Sequence, residues 1–322
     1  MKEALVKIKA ALSKQRIVEH LSHYLIRDGF LVASDGRMTA GAPVDVPGEY
    51  LIPGEELELL MGKFGDGAEV RIEGTVVHIA QGKLRGTIAT SLLDSVLFPS
   101  PGKDPAWLLP CADFLPALRL ARPFISDNAM QEWATTAWLR DGSILATTNR
   151  SLVEVNCEGL LGADTLLPVW AVDYVLGHGD ILTGVLWHER FACFQWSDGS
   201  WMHTLINAGK WPEQAVQMLA AVEDPEWLIE QEWRDAYAAV SSVVLEGEPI
   251  TISADRMEGR RKQAWVSYPA ESPTPPHGAS QWDPKFLSPV VAIATHIDLT
   301  AWPKPAVFVG NGIKGLVVGR MA

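Results

Sequence analysis

Hydrophobic and polar positions alternate in short runs along most of this chain, and the runs return on a fixed period. Tyr24-Leu25-Ile26-Arg27-Asp28-Gly29-Phe30-Leu31-Val32 lies over Ala137-Trp138-Leu139-Arg140-Asp141-Gly142-Ser143-Ile144-Leu145, 113 residues later. Each copy predicts a strand, a tight Asp-Gly turn and a second strand, because that hairpin turn needs positive φ at both central positions. A third, weaker copy is residues 243–247 followed by 250–255. Leu51-Ile52-Pro53, Leu166-Leu167-Pro168 and Trp282-Asp283-Pro284 recur at spacings of 115 and 116 residues. Each precedes a stretch of helical period, and Pro suits the first turn of a helix. An alternating pair follows each time: 70–72 with 76–79, 185–187 with 191–194, and 306–309 with 316–318.

A further helical segment opens each unit, at 3–14, 112–121 and 226–240, with Pro116 interrupting the second. Phe98-Pro99 and Trp211-Pro212 read as extended linkers. The pattern predicts an α+β protein of three repeated domains, 1–104, 105–212 and 213–322, each with two helices packed on antiparallel sheets.

Charge changes the picture at one end. The 322 residues hold 27 Lys+Arg against 39 Asp+Glu, a net charge of −12 that argues against nucleic acid unless charge is segregated. It is segregated in the opening segment, where Lys2, Lys7, Lys9, Lys14 and Arg16 face only Glu3. On a continuous helix Lys2, Lys9 and Arg16 share one face and Lys7 and Lys14 a neighbouring row; a solvated surface has the same pattern. Cys111, Cys157 and Cys193 include no CxxC pair and read as reduced thiols of a cytoplasmic protein. No apolar run of about 18 residues predicts a membrane helix.

Chemistry is sparse. There is no GxxxxGK[ST] loop and no HExxH helix. His20 and His23 with Glu19 lack a further ligand cluster, His188-Glu189 falls in a hairpin turn, and Asp28, Asp35 and Asp141 are turn residues. No catalytic set, metal or cofactor is predicted, and so no enzyme. Thirteen tryptophans keep open a carbohydrate-binding or carbohydrate-active β-rich protein.

Taken in order, the threefold repeat, the helix-opening prolines, Leu145-Ala146-Thr147-Thr148-Asn149-Arg150-Ser151-Leu152 and Gly209-Lys210-Trp211-Pro212 resemble the bacterial DNA polymerase III beta subunit family, the replicative sliding clamps. The shorter chain and the lack of a strand before the opening helix suit a divergent or phage-type member. The resemblance implies the DNA clamp fold and a homodimeric ring around double-stranded DNA, with no sequence preference. It places Lys2, Lys7, Lys9, Lys14, Arg16, Arg119, Arg122 and Lys285 on helices toward the DNA. It also implies a groove for short hydrophobic peptides of DNA polymerase and clamp loader, formed by Thr147, Asn149, Arg150, Leu152, Pro212, Val317, Val318 and Met321. Two departures stand out: Asn149-Arg150-Ser151 replaces the usual Gly-His-Arg-type turn, and the chain ends on Gly319-Arg320-Met321-Ala322.

Overall fold

The computed structural model describes all residues except 16–17, 66, 92–97, 103–104, 161, 277 and 321–322. One order of elements is used three times: a helix, four strands, a helix, three strands. The first pass holds α1 (Lys2–Ile8), β1 (His23–Arg27), β2 (Phe30–Ser34), β3 (Met38–Pro43) and β4 (Tyr50–Pro53). It continues with α2 (Gly54–Met61), β5 (Glu69–Glu73), β6 (Val76–Gln81) and β7 (Leu84–Ala89). The second holds α3 (Phe114–Ala121), β8 (Thr136–Arg140), β9 (Ser143–Thr147), β10 (Ser151–Asn156) and β11 (Asp164–Pro168). After these come α4 (Val169–Gly177), β12 (Leu182–Trp187), β13 (Phe191–Trp196) and β14 (Trp201–Leu205). The third adds an extra helix, α5 (Glu213–Ala220), before α6 (Gln231–Ser241), β15 (Ile250–Ser253), β16 (Arg256–Arg261), β17 (Ala264–Pro269) and β18 (Ala279–Trp282). It closes with α7 (Pro284–Ile293), β19 (His296–Asp298), β20 (Ala306–Gly310) and β21 (Ile313–Val317).

The chain divides into two compact units, Met1–Pro110 with Asp173–Ile206 and Cys111–Val172 with Asn207–Ala322. The first contains a seven-stranded sheet, β12-β13-β14-β3-β2-β1-β4, and a three-stranded sheet, β5-β6-β7. The second contains a seven-stranded sheet, β11-β8-β9-β10-β21-β20-β19, and a four-stranded sheet, β17-β16-β15-β18. Equivalent helices meet equivalent strands: α1 packs on β2 and β3, α3 on β9 and β10, α6 on β16 and β17. Apolar residues on the opposite sheet face form small clusters, Leu25, Val32, Leu51 and Trp201 in the first unit and Leu145, Leu152, Leu166, Trp211, Leu219 and Leu316 in the second. Trp201 lies so close over Gly41 that a Cβ there would sit 2.5 Å from the indole.

Several expectations need correction. The opening helix stops at Ile8 and passes through a short 3-10 turn, Lys9–Ala11, instead of running to residue 14. Leu12 takes extended geometry and packs over Gly54, and the Ser13 N–H bonds the Leu21 carbonyl, so tertiary contacts turn the chain away. Lys9 and Lys14 therefore do not extend a helical face. Pro116 lies in the first turn of α3, where its missing N–H has no intrahelical role. Residues 227–229 are not helical: Leu228 bridges His296, and Ile229 and Ile297 donate to Thr295 and Trp227. The third hairpin is β15–β16, turning at Ala254-Asp255, while 243–247 belongs to the turn after α6. Finally, the alternating pairs are parts of three-strand meanders; β7, β14 and β19 complete them.

Candidate functional site

The β9–β10 turn is built from hydroxyl side chains. Thr147 Oγ1 donates to the Ser151 carbonyl (2.7 Å) and accepts the Asn149 N–H (3.1 Å), and Thr148 Oγ1 lies 2.7 Å from Ser151 Oγ. Asn149 takes the left-handed conformation (φ 69°), which its short polar side chain tolerates, and donates through Nδ2 to Gln131 (3.1 Å). Beside this turn β21 pairs with β10, placing Leu316 opposite Leu152. Helix α5, which starts after Pro212, supplies Gln214, Ala215 and Met218, and Trp133, Pro305 and Val318 complete a cavity of about 240 Å³. Beneath it Trp211 stacks with Trp138 (5.7 Å between centroids) and meets the edge of Trp133 (6.2 Å). Trp133, which lines the cavity, is thus backed by a stiff aromatic cluster.

Of the residues implied for a groove, Thr147, Asn149, Arg150, Leu152, Pro212 and Val318 line this one cavity. Val317 is a correction: it is fully buried, and alternation along β21 gives its place to Leu316. Met321 lies outside the described residues. The α5 residues were missed because Trp211-Pro212 reads as an extended linker, although Pro also stands naturally just before a helix. The spacing of Ala215 and Met218 was the available signal.

The basic residues are scattered in fate. Lys9, Lys14, Arg119 and Lys285 are exposed, with Lys285 4.0 Å from Glu246. Lys2 donates to the Phe64 carbonyl (3.1 Å). Arg122 bonds Asp127 (2.6 Å) and the Ile125 carbonyl. Arg16 lies outside the described residues. Lys7 is a correction: its side chain is only 16% exposed and meets Asp198 (2.6 Å), Asp180 (2.9 Å) and Glu3 (3.0 Å), so its charge is held internally. Among the described residues the seven α-helices together carry eight acidic and five basic residues, so their charge alone does not make a basic face.

The Lys7 network has a consequence for acid stability. Burial disfavours the Lys7 ammonium, but its carboxylate partners outweigh that and raise its pKa. For Asp198 burial acts in the opposite direction and would lift its pKa, yet hydrogen bonds from Lys7 and Ser200 bring it from 3.8 down to about 2. His178 is stacked on Trp196 at 3.9 Å and lies 3.1 Å from Ser200 Oγ; burial lowers its pKa below 6.5, with Lys7 adding to that and Asp198 and Asp180 opposing it. Both folded values lie below the unfolded ones, so the stabilisation is present above the unfolded values and is lost as pH falls. Melting of the first unit is expected to drop from about pH 6.5 downward and again between about 3.8 and 2, where Asp198→Asn should flatten the curve. An Asp198→Asn curve parallel to the parent's in that lower range would contradict the network's role.

Other candidates find structural places. His188 and Glu189 are exposed at the β12–β13 turn. Trp196, Trp201, Trp211, Trp233 and Trp282 are buried in cores, unavailable as open sugar-stacking platforms.

No protein-family model matches the sequence, and no curated protein matches it by sequence. Solved structures do match. The Helicobacter pylori beta clamp bound to a DNA ligase peptide aligns with a TM-score of 0.78 at 16% identity, over 100% of this chain and 97% of that one. The DNA polymerase sliding clamp from Caulobacter crescentus aligns at 0.81 and 15% identity, with the same coverages. That from Bacillus subtilis aligns at 0.81 and 11% identity, again over 100% and 97%. The fold is the α+β DNA clamp fold.

Proposed function

We propose that the chain is a sliding clamp of three modules, 1–104, 105–212 and 213–322. Two copies close head to tail around duplex DNA, and the cavity beside the β9–β10 turn takes a short hydrophobic peptide from a DNA polymerase or clamp loader. It catalyses no reaction. The observation that carries this reading is the arrangement of strands. In each seven-stranded sheet a three-strand meander meets a four-strand set through equivalent edges, β14 on β3 and β21 on β10. The register is equivalent too. Trp201 opposes Gly41 and His203 opposes Thr39 in one sheet, as Lys314 opposes Glu154 and Leu316 opposes Leu152 in the other.

A three-strand meander and a four-strand set are left over, with β7 and β17 as the corresponding edges. Joining β7 of one copy to β17 of the next would build a third seven-stranded sheet, and this heterologous contact used twice closes a two-copy ring. The same register sets Arg85 opposite Ser267, Gly86 opposite Val266, Thr87 opposite Trp265 and Ile88 opposite Ala264. β17 has no charged side chain, and Trp265 and Tyr268 on it are 60% and 42% exposed. Edges that avoid pairing are ordinarily blunted by charge.

Topological closure supplies retention on DNA, and diffuse phosphate contacts leave sliding free because they carry no base information. With more acidic than basic residues on its described α-helices, this clamp relies on closure more than on attraction. Changing Lys9, Lys14, Arg119 and Lys285 to Glu is expected to shorten retention on closed circular DNA at low salt and to flatten its salt dependence. Unchanged retention would remove these four from the DNA-facing set. The peptide-bound Helicobacter pylori clamp supports the peptide reading of the cavity. Among the described residues no helix is long and apolar enough to cross a membrane, and the three free thiols suit the cytoplasm. Light scattering at micromolar concentration tests the ring: a mass near twice 35.2 kDa is expected, and a strict monomer would contradict it.

A further inference from the structure

Cys111 and Cys157 are far apart in sequence, yet their sulfurs lie 3.4 Å apart. Cys111 stands just before α3, its carbonyl accepting the Phe114 N–H, and Cys157 follows β10, its N–H bonded to the Gly142 carbonyl. Gly159, at φ 86°, leaves room for the pair, since a Cβ there would come within 3.2 Å of Cys111 Cβ. We infer that Cys111 and Cys157 form a reversible dithiol–disulfide site whose oxidant is a small-molecule disulfide.

Access sets the order of events. Cys111 is partly exposed, whereas Cys157 is fully buried, and burial with neighbouring Cys111 pushes the Cys157 thiol up to about 12. The Cys111 thiolate attacks one sulfur of the small disulfide, forming a mixed disulfide and releasing one thiolate. Cys157 then attacks Cys111 Sγ, the mixed S–S bond breaks and a second thiolate leaves. The two protein protons end on the two released thiols, and the small disulfide takes up the two electrons. The sulfurs need to approach from 3.4 Å to about 2.05 Å. Cys193, buried on β13, serves as an internal control.

The site does not depend on the clamp reading. The test is incubation of the full chain with oxidised glutathione, followed by maleimide tagging after denaturation and mass measurement. The expected result is a fall from three tagged thiols to one, at Cys193, without a retained glutathione and reversed by dithiothreitol. Cys157→Ser should instead hold one glutathione on Cys111, and Cys111→Ser should keep both remaining thiols. Three tags persisting in fully oxidised glutathione, or a stable wild-type adduct with Cys157 still reduced, would overturn the inference.

Discussion

If two copies close through β7 and β17 as proposed, glutamate at both Thr87 and Trp265 is expected to leave monomers without unfolding the chain. The register carried over from the two seven-stranded sheets makes these residues direct cross-strand partners, whose Cβ atoms would lie about 4.5–5.5 Å apart. Two like charges at that distance oppose pairing. The loss of Trp265 adds to it, because a tryptophan at the middle of an interface typically contributes 2 kcal/mol or more. A ring has two such seams, so a loss of about 2 kcal/mol at each weakens association about a thousandfold. Both positions are exposed in the single chain, so the melting of the monomer should hardly change. Thr87→Lys combined with Trp265→Glu should restore the dimer by replacing repulsion with an ion pair. A double-glutamate variant that still sediments as a dimer would show that the seam lies elsewhere.

Met218→Glu is expected to cut affinity for a hydrophobic peptide at least tenfold. Met218 stands on α5 at the cavity wall and is 46% exposed, so its change tests binding with little effect on the core. Burying one such side chain contributes about 1.5–3 kcal/mol, and a carboxylate there would also have to be desolvated. Leu152→Ala should weaken binding as well, but Leu152 is 7% exposed and belongs to the cluster under the cavity, so that variant also loses stability. Anisotropy of a fluorescent five-residue peptide rich in Leu and Phe reads both. Parent-like binding by Met218→Glu would exclude this cavity as the peptide site.

What could be read from the sequence was what local chemistry dictates. Asp28-Gly29 turns with positive φ at both residues because Asp and Gly tolerate it, and three prolines mark helix starts, Pro284 as the first residue of α7 and Pro53 and Pro168 as the strand residues just before α2 and α4. The third hairpin was misplaced because Ala254-Asp255 has no glycine to announce it. Lys7 looked like its neighbours on a basic helix, since nothing nearby tells that Asp198, 191 positions away, would hold its charge. Val317 and Leu316 differ by one residue, and strand parity reverses which one faces the cavity. Of the cavity, the β9–β10 turn and the neighbouring strand β21 were legible, whereas its α5 wall was hidden behind a proline that suits a linker equally well.

The central claim is that β7 of one copy pairs with β17 of another. Cysteines placed at Gly86 and Val266, and separately at Thr87 and Trp265, in a chain whose native cysteines are replaced by serine, test it directly under mild oxidation. Closure predicts a covalent species of two chains from the paired variants, and none from either single cysteine at matched concentration. Long covalent polymers or an absence of cross-linking would contradict the closed two-copy ring.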